Sequence, residues 1–174
     1  MIDFLLVFIC FIVILATIFF GWILWGTFFY GVPLVPTPRK IVRKMILLAN
    51  LCAGQKVYDL GCGTGTILFA IPSGVWGVGY DLVKPAIWYA KIENFLLRRN
   101  LEFECADFFH KNLSDADVIF CYLFRSVMDR FYHEKFSELK KGCRIISYGF
   151  PMEEISPTKE EKFGKVKIYI YLKK

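Results

Sequence analysis

The chain of 174 residues is 56% hydrophobic and carries a formal net charge of +6. Its mean hydropathy is positive, which argues against an ordinary soluble domain of this length and predicts that part of the chain contacts lipid. The six cysteines form no Cys-x-x-Cys pair and the two histidines are isolated in sequence, so we expect neither a disulfide nor a metal site.

The N-terminal segment contains no charged side chain over residues 4–30. A helix of about 20 such residues crosses the hydrocarbon core of a bilayer, so residues 1–31 are predicted to be a single transmembrane anchor. A cleaved signal peptide is the alternative, but it would have a basic start and a shorter apolar run. Every Lys and Arg lies at or after Arg39, which places the C-terminal part on the cytoplasmic or mitochondrial matrix side. We expect the basic excess to contact anionic lipids of the bilayer, and no nucleic acid.

Residues 32–50 are interpreted as a proline-rich linker followed by an amphipathic helix. The linker holds three prolines within 33–38, which oppose a continuous helix. We predict the helix over about 39–49, with Thr37 as its N-cap and Pro38 as its first residue.

Residues 51–174 alternate between strand and helix patterns. This alternation is typical of an α/β domain, Rossmann-like and doubly wound, with a mostly parallel sheet covered on both faces. The final segment alternates strictly between polar and apolar residues, which predicts an antiparallel C-terminal edge strand. The predicted strands are 56–60, 75–81, 101–107, 117–124, 143–150 and 165–174, and the predicted helices are 64–71, 85–100 and 125–139.

The stretch VYDLGCGTG, at 57–65, is a strand that runs into a turn with three glycines. In a doubly wound sheet, the turn after the first strand lies where cofactors bind. The spacing is GxGxG rather than the dinucleotide GxGxxG, and the Asp59 carboxylate would repel a pyrophosphate. A ligand with a cationic amino-acid end, such as S-adenosylmethionine, would be attracted instead. The cofactor-binding residues expected here are Asp59, Gly61, Cys62, Gly63 and Gly65.

Two further carboxylates follow the second and third predicted strands. Asp81 lies 20 residues after Gly61, where a carboxylate can accept both hydroxyl groups of a ribose. Asp107 ends LEFECAD, close to the expected position of an adenine amino group. The neighbouring Leu82 and Phe108 complete the expected cofactor site.

These motifs resemble those of a known group. VYDLGCGTG, GVGYD and CAD are similar to motifs I, II and III of the class I S-adenosylmethionine-dependent methyltransferases. A closer likeness is to the membrane-anchored protein-lysine methyltransferases whose mitochondrial members modify ATP synthase subunit c and the adenine nucleotide translocase. It rests on the apolar span, VPTP at 35–38, WYAK at 88–91, DFFHKNLSDADVIFCYLF and RIISYGFP. The resemblance implies a lysine-bearing membrane protein as the substrate.

The expected catalytic residues are Tyr122 and Phe124, after the fourth strand, with Thr37 as a further candidate beside the substrate. Core packing is the alternative interpretation of the two aromatic residues, and helix capping is that of Thr37. The alternative functions are a lipid or quinone methyltransferase, a nucleotide-binding oxidoreductase, and a cofactor-binding membrane protein without activity. The last is suggested by Thr64 and Thr66, where the relatives commonly have an acidic residue and an arginine.

Overall fold

A computed structural model describes residues 6–18, 21, 37–164 and 166–174 of the chain. The chain divides into two compact units, Met1–Val35 and Pro36–Lys174. In the first unit, residues 6–18 form helix α1, and their side chains are exposed. Within the described ranges, no helix is both long enough and apolar enough to cross a bilayer. The predicted span over 4–30 extends beyond these ranges.

The second unit is a seven-stranded sheet with helices on both faces. The helices are α2 Arg39–Ala49, α3 Lys84–Leu96 and α4 Arg125–Glu134. The strands are β1 Lys56–Leu60, β2 Trp76–Asp81, β3 Leu101–Cys105, β4 Val118–Cys121, β5 Arg144–Tyr148, β6 Lys159–Phe163 and β7 Val166–Leu172. Their order across the sheet is β3-β2-β1-β4-β5-β7-β6.

The strand order confirms the predicted doubly wound fold. Strands β1 to β5 pair in parallel, and the order reverses between β1 and β4. The predicted antiparallel strand is present as β7, which pairs with β5 on one side and with β6 on the other. The sequence of β6, KEEKF, is highly charged. Charged side chains protect an outermost strand from pairing with another chain, which explains why this strand has no hydrophobic pattern.

The core has two parts because successive side chains of a strand point to opposite faces of the sheet. Val118 and Phe120 of β4 pack on the face that α2 and α3 cover, with Met45 of α2 fully buried. Ile119 of the same strand packs on the opposite face, where α4 contributes Phe131. Helix α2, at the position predicted for the amphipathic helix, is thus part of this unit's core.

Two local predictions were wrong. The segment after the glycine turn forms turns and a 3-10 helix, Leu68–Ala70, rather than an α-helix. Pro72 forces the preceding Ile71 into an extended conformation, with ψ 148°, which leaves too few residues for an α-helix. Thr37 is not the N-cap of α2: Pro38 occupies that position, and no side chain caps the helix.

Candidate active site

The glycine turn after β1 is held against the end of β2. The backbone N–H groups of Gly61 and Cys62 both donate to the carbonyl of Tyr80, at 2.9 and 3.0 Å. Gly61 has φ +77°, and a Cβ there would lie 2.9 Å from Leu123. Gly65 has φ +84°, and its Cβ would lie 2.7 Å from the ring of Phe103. Both positions therefore require glycine for backbone conformation and for space.

Asp81 connects this turn to the start of α3. One carboxylate oxygen accepts from the N–H of Gly63 and the other from the N–H of Val83, both at 2.8 Å. Each oxygen of a carboxylate can accept a second hydrogen bond, so these contacts orient Asp81 and leave acceptor capacity for ribose hydroxyls. Leu82, the next residue, is 48% exposed beside it.

Asp59 lies in the middle of the sheet, between Gly79 of β2 and Phe120 of β4. It is only 3% exposed, and none of the hydrogen bonds among the described residues involves its carboxylate. Burial, and secondarily the charge of Asp81, raise the pKa of Asp59 to about 8. The ligand-free site therefore favours the protonated carboxyl group of Asp59, whereas a nearby cation would favour its ionised form and lower this pKa.

Cys62 fills the space between the turn and β2. A Cβ at Gly79 would lie 2.7 Å from the Cys62 sulfur, so the side chain packs directly on the strand backbone. Burial is the main cause that raises the pKa of the Cys62 thiol. The side chain of Cys62 therefore supports the shape of the turn through packing.

At the end of β3, Asp107 and Phe108 have different environments. Asp107 is half-buried and caps a short 3-10 helix, because one of its oxygens accepts from the N–H of Phe109 at 3.0 Å. Phe108 is buried, with its ring centroid 4.3 Å from that of Phe109. Asp107 thus keeps an accessible oxygen at the carboxyl edge of the sheet, whereas Phe108 belongs mainly to the core.

Tyr122 directly follows β4 and borders a groove of about 440 Å³. Its ring lies 4.7 Å from that of Tyr148, between centroids, while Phe124 lies 5.8 Å from Phe150. Because Leu123 contacts the glycine turn, the groove begins next to the expected cofactor site. The residues that line it are Tyr122, Gly149, Phe150, Val166, Lys167 and Tyr169.

Of the residues that line this groove, only Tyr122 was predicted from the sequence as a site residue. Three of its residues, Val166, Lys167 and Tyr169, come from β7, whose approach depends on pairing with β5 rather than on a local motif. Gly149 offered a signal, because a glycine directly after a strand often adopts a positive φ. It has φ +89°, and its N–H donates to the carbonyl of Lys167 at 2.9 Å.

Thr37, the third catalytic candidate, precedes α2. Arg144, the first residue of β5, donates to the carbonyl of Asn50 at 3.3 Å, so the last turn of α2 lies at the amino edge of the sheet. Thr37 itself is half-buried, and its role beside the substrate stays a prediction.

Residues 59–159 match the family described as the ANTKMT methyltransferase domain. A protein-lysine N-methyltransferase from Saccharolobus islandicus is 30% identical over 150 residues, which cover 81% of this chain and 92% of that protein. An RNA methyltransferase from Salinibacter ruber, solved with S-adenosyl-L-homocysteine, is 27% identical with a TM-score of 0.75, covering 79% of this chain and 93% of its own. A Pyrococcus horikoshii protein has the same fold at 19% identity and a TM-score of 0.65, covering 78% and 90% of the two chains.

The residues at the carboxyl edge fit S-adenosylmethionine as the cofactor. Side-chain-free backbone at Gly61 and Gly63 permits close approach of a ligand, and Asp81 and Asp107 offer acceptors for hydroxyl and amino groups. The buried carboxylate of Asp59 suits an ammonium better than a phosphate. The chain belongs to the ANTKMT methyltransferase domain family and is an S-adenosylmethionine-dependent methyltransferase.

Proposed function

We propose that this enzyme methylates the side-chain amine of a lysine in a membrane-associated protein, while residues 4–30 anchor it in the same membrane. The observation that carries the lysine assignment is the 30% identity, over 81% of the chain, to a protein-lysine N-methyltransferase. The charge-free run at 4–30 supports the anchor, since it is long enough for one span. The basic residues that follow it favour a domain on the cytoplasmic or matrix side.

S-adenosylmethionine supplies a methyl carbon activated by the adjacent sulfonium, and its transfer to a neutral amine leaves S-adenosylhomocysteine and a methylated ammonium. Asp59 would hold the ammonium of the cofactor's amino-acid end by charge. Asp81 and Asp107 would accept hydrogen bonds from the ribose and the adenine, and Leu82 would contact the adenine ring. With the cofactor fixed in this way, the remaining task of the protein is to align a deprotonated lysine amine.

The groove beside Tyr122 is suited to that alignment. Its walls include the aromatic rings of Tyr122, Phe150 and Tyr169, which can contact the apolar stem of a lysine. Phe124, 41% exposed at the mouth of the site, and Thr37 are the further residues that we assign to acceptor positioning.

The assignment is tested by transfer of labelled methyl groups. Purified enzyme and labelled S-adenosylmethionine are incubated with membranes that lack this protein, and the label is then traced by mass spectrometry. We expect a methylated lysine in a membrane protein. Label in the lipid extract would support the lipid or quinone alternative. Label in RNA would indicate an RNA substrate, as in the name of the Salinibacter ruber protein. Either result without labelled protein contradicts the lysine assignment.

The role of Tyr122 is tested by Tyr122→Ala, with Tyr132→Ala as the matched control. Tyr132 lies on α4, on the opposite face of the sheet from α2 and α3. If Tyr122 positions the acceptor, its truncation should lower kcat/KM for the acceptor by about 10- to 100-fold, as expected when alignment is lost, while the Kd of S-adenosylmethionine stays unchanged. Equal losses in the two variants would contradict this role.

A further inference from the structure

Helix α3 is apolar on two opposite faces. Ala86, Ile87 and Ala90 face the sheet and are buried. The outer face carries large apolar side chains that are exposed instead. They are Trp88 at 69%, Tyr89 at 56%, Ile92 at 41%, Phe95 at 81% and Leu96 at 70% exposed. We call these five residues the α3 outer face.

These five side chains form one continuous stripe. At 3.6 residues per turn, Trp88, Ile92 and Phe95 lie above one another, and Tyr89 and Leu96 form the adjoining row. Single exposed apolar residues are common on soluble proteins, but a contiguous patch of this kind marks a surface that is covered by something else. A surface helix of a soluble domain would carry polar residues here.

The charges around this stripe indicate what covers it. Lys84 and Lys91 are exposed beside the row of Trp88, and Arg98 is exposed just after the helix, whereas the one acidic residue of α3, Glu93, is half-buried in the row of Tyr89. Lys84 and Lys91 make no salt bridge with any described residue. Tryptophan and tyrosine with basic neighbours are typical of helices that lie in the headgroup region of a bilayer. Basic side chains next to an anionic membrane add electrostatic attraction to it.

We propose that the α3 outer face lies on an anionic membrane surface, with Trp88 and Phe95 inserted among the lipids and Lys84 and Lys91 contacting headgroups. This surface belongs to the unit Pro36–Lys174, and the proposal rests on the membrane location under "Proposed function". It gives the catalytic unit a second attachment, which limits the tumbling of that unit and keeps the active-site edge near lipid-embedded targets.

Tryptophan fluorescence tests this contact in the full chain. A variant that retains only Trp88 (Trp22→Phe, Trp25→Phe and Trp76→Phe) is reconstituted in vesicles of phosphatidylcholine and phosphatidylserine with brominated acyl chains. We expect loss of Trp88 emission relative to vesicles without bromine. The matched control carries Tyr132→Trp on α4 with all four native tryptophans replaced, and its emission should not change. Adding Lys84→Glu and Lys91→Glu should reduce the quenching of Trp88.

Two results would overturn the proposal. Trp88 could remain unquenched by brominated lipid and fully accessible to aqueous iodide, which means that the face is solvated. It could also be protected from iodide without quenching by lipid, which means that a protein surface covers it. A third variant that retains only Trp25 reports separately on the N-terminal segment. Failure of the proposed anchor is thereby distinguished from failure of the α3 contact.

Discussion

A single buried carboxylate, Asp59, links the stability of this protein to its cofactor. Its pKa rises from 3.8 to about 8 on folding, mainly through burial. Between these two values the folded protein binds more protons than the unfolded chain, so the Asp59 contribution to the free energy of unfolding falls as the pH rises through this window. The shift corresponds to roughly 6 kcal/mol, which is lost as the pH rises to the folded-state pKa of about 8.

Asp59→Asn should therefore stabilise the cofactor-free protein at pH 8 and have little effect near pH 4. Urea unfolding in detergent at both pH values measures this difference. Glu102→Gln, which removes an exposed carboxylate of β3, is the charge control and should show no such pH dependence. The same Asp59→Asn variant should bind S-adenosylmethionine at least 10-fold more weakly by calorimetry, consistent with the loss of about 1.4 kcal/mol or more. Stabilisation at both pH values alike would contradict the assigned pKa.

Substitution of Gly54 and Gly65 by alanine separates the cost of backbone strain from the cost of steric overlap. Both have a positive φ, +84° and +82°, but a Cβ at Gly54 meets nothing within 4 Å, whereas one at Gly65 meets Phe103. Gly54→Ala should cost about 1 kcal/mol of stability from backbone strain alone. Gly65→Ala should cost about 3 kcal/mol, because Phe103 is buried against Phe69 and cannot move freely. Thermal unfolding compares the two, and equal costs would mean that the turn relaxes around the new methyl group.

At the scale of elements, α2 is part of the catalytic unit's core. Met45 is fully buried, whereas Leu47, two residues later in the same helix, is 76% exposed. Met45→Ala should destabilise the protein by about 2 to 5 kcal/mol, and Leu47→Ala by less than about 0.5 kcal/mol. Chemical denaturation measures both. Similar small effects would mean that α2 is not packed on the sheet.

The elements also show why some features could be predicted and others not. Strands β1 to β5 have apolar patterns of their own. Asp81 and Asp107 were predicted from where β2 and β3 end, and Asp59 from its place just before the glycine turn. The 3-10 segment, by contrast, was predicted as a helix because its composition is apolar, although Pro72 ends it too early. Strand β6 has no apolar pattern and forms only by pairing with β7. The groove beside Tyr122 depends on the same long-range pairing, so its β7 residues left no local signal.

At the scale of the whole molecule, confinement to a membrane should matter more for the rate of encounter than for the chemistry. The unit Pro36–Lys174 contains all of the candidate site, so a chain without residues 1–35 should bind S-adenosylmethionine as the full chain does. On intact membranes, it should methylate the target with a kcat/KM about 10²-fold lower, because the anchor raises the effective concentration of enzyme and substrate. Dissolving the membranes in detergent should remove this difference, since both proteins then meet the target in solution. A defect that persists in detergent, with cofactor binding intact, would instead mean that residues 1–35 contact the acceptor directly.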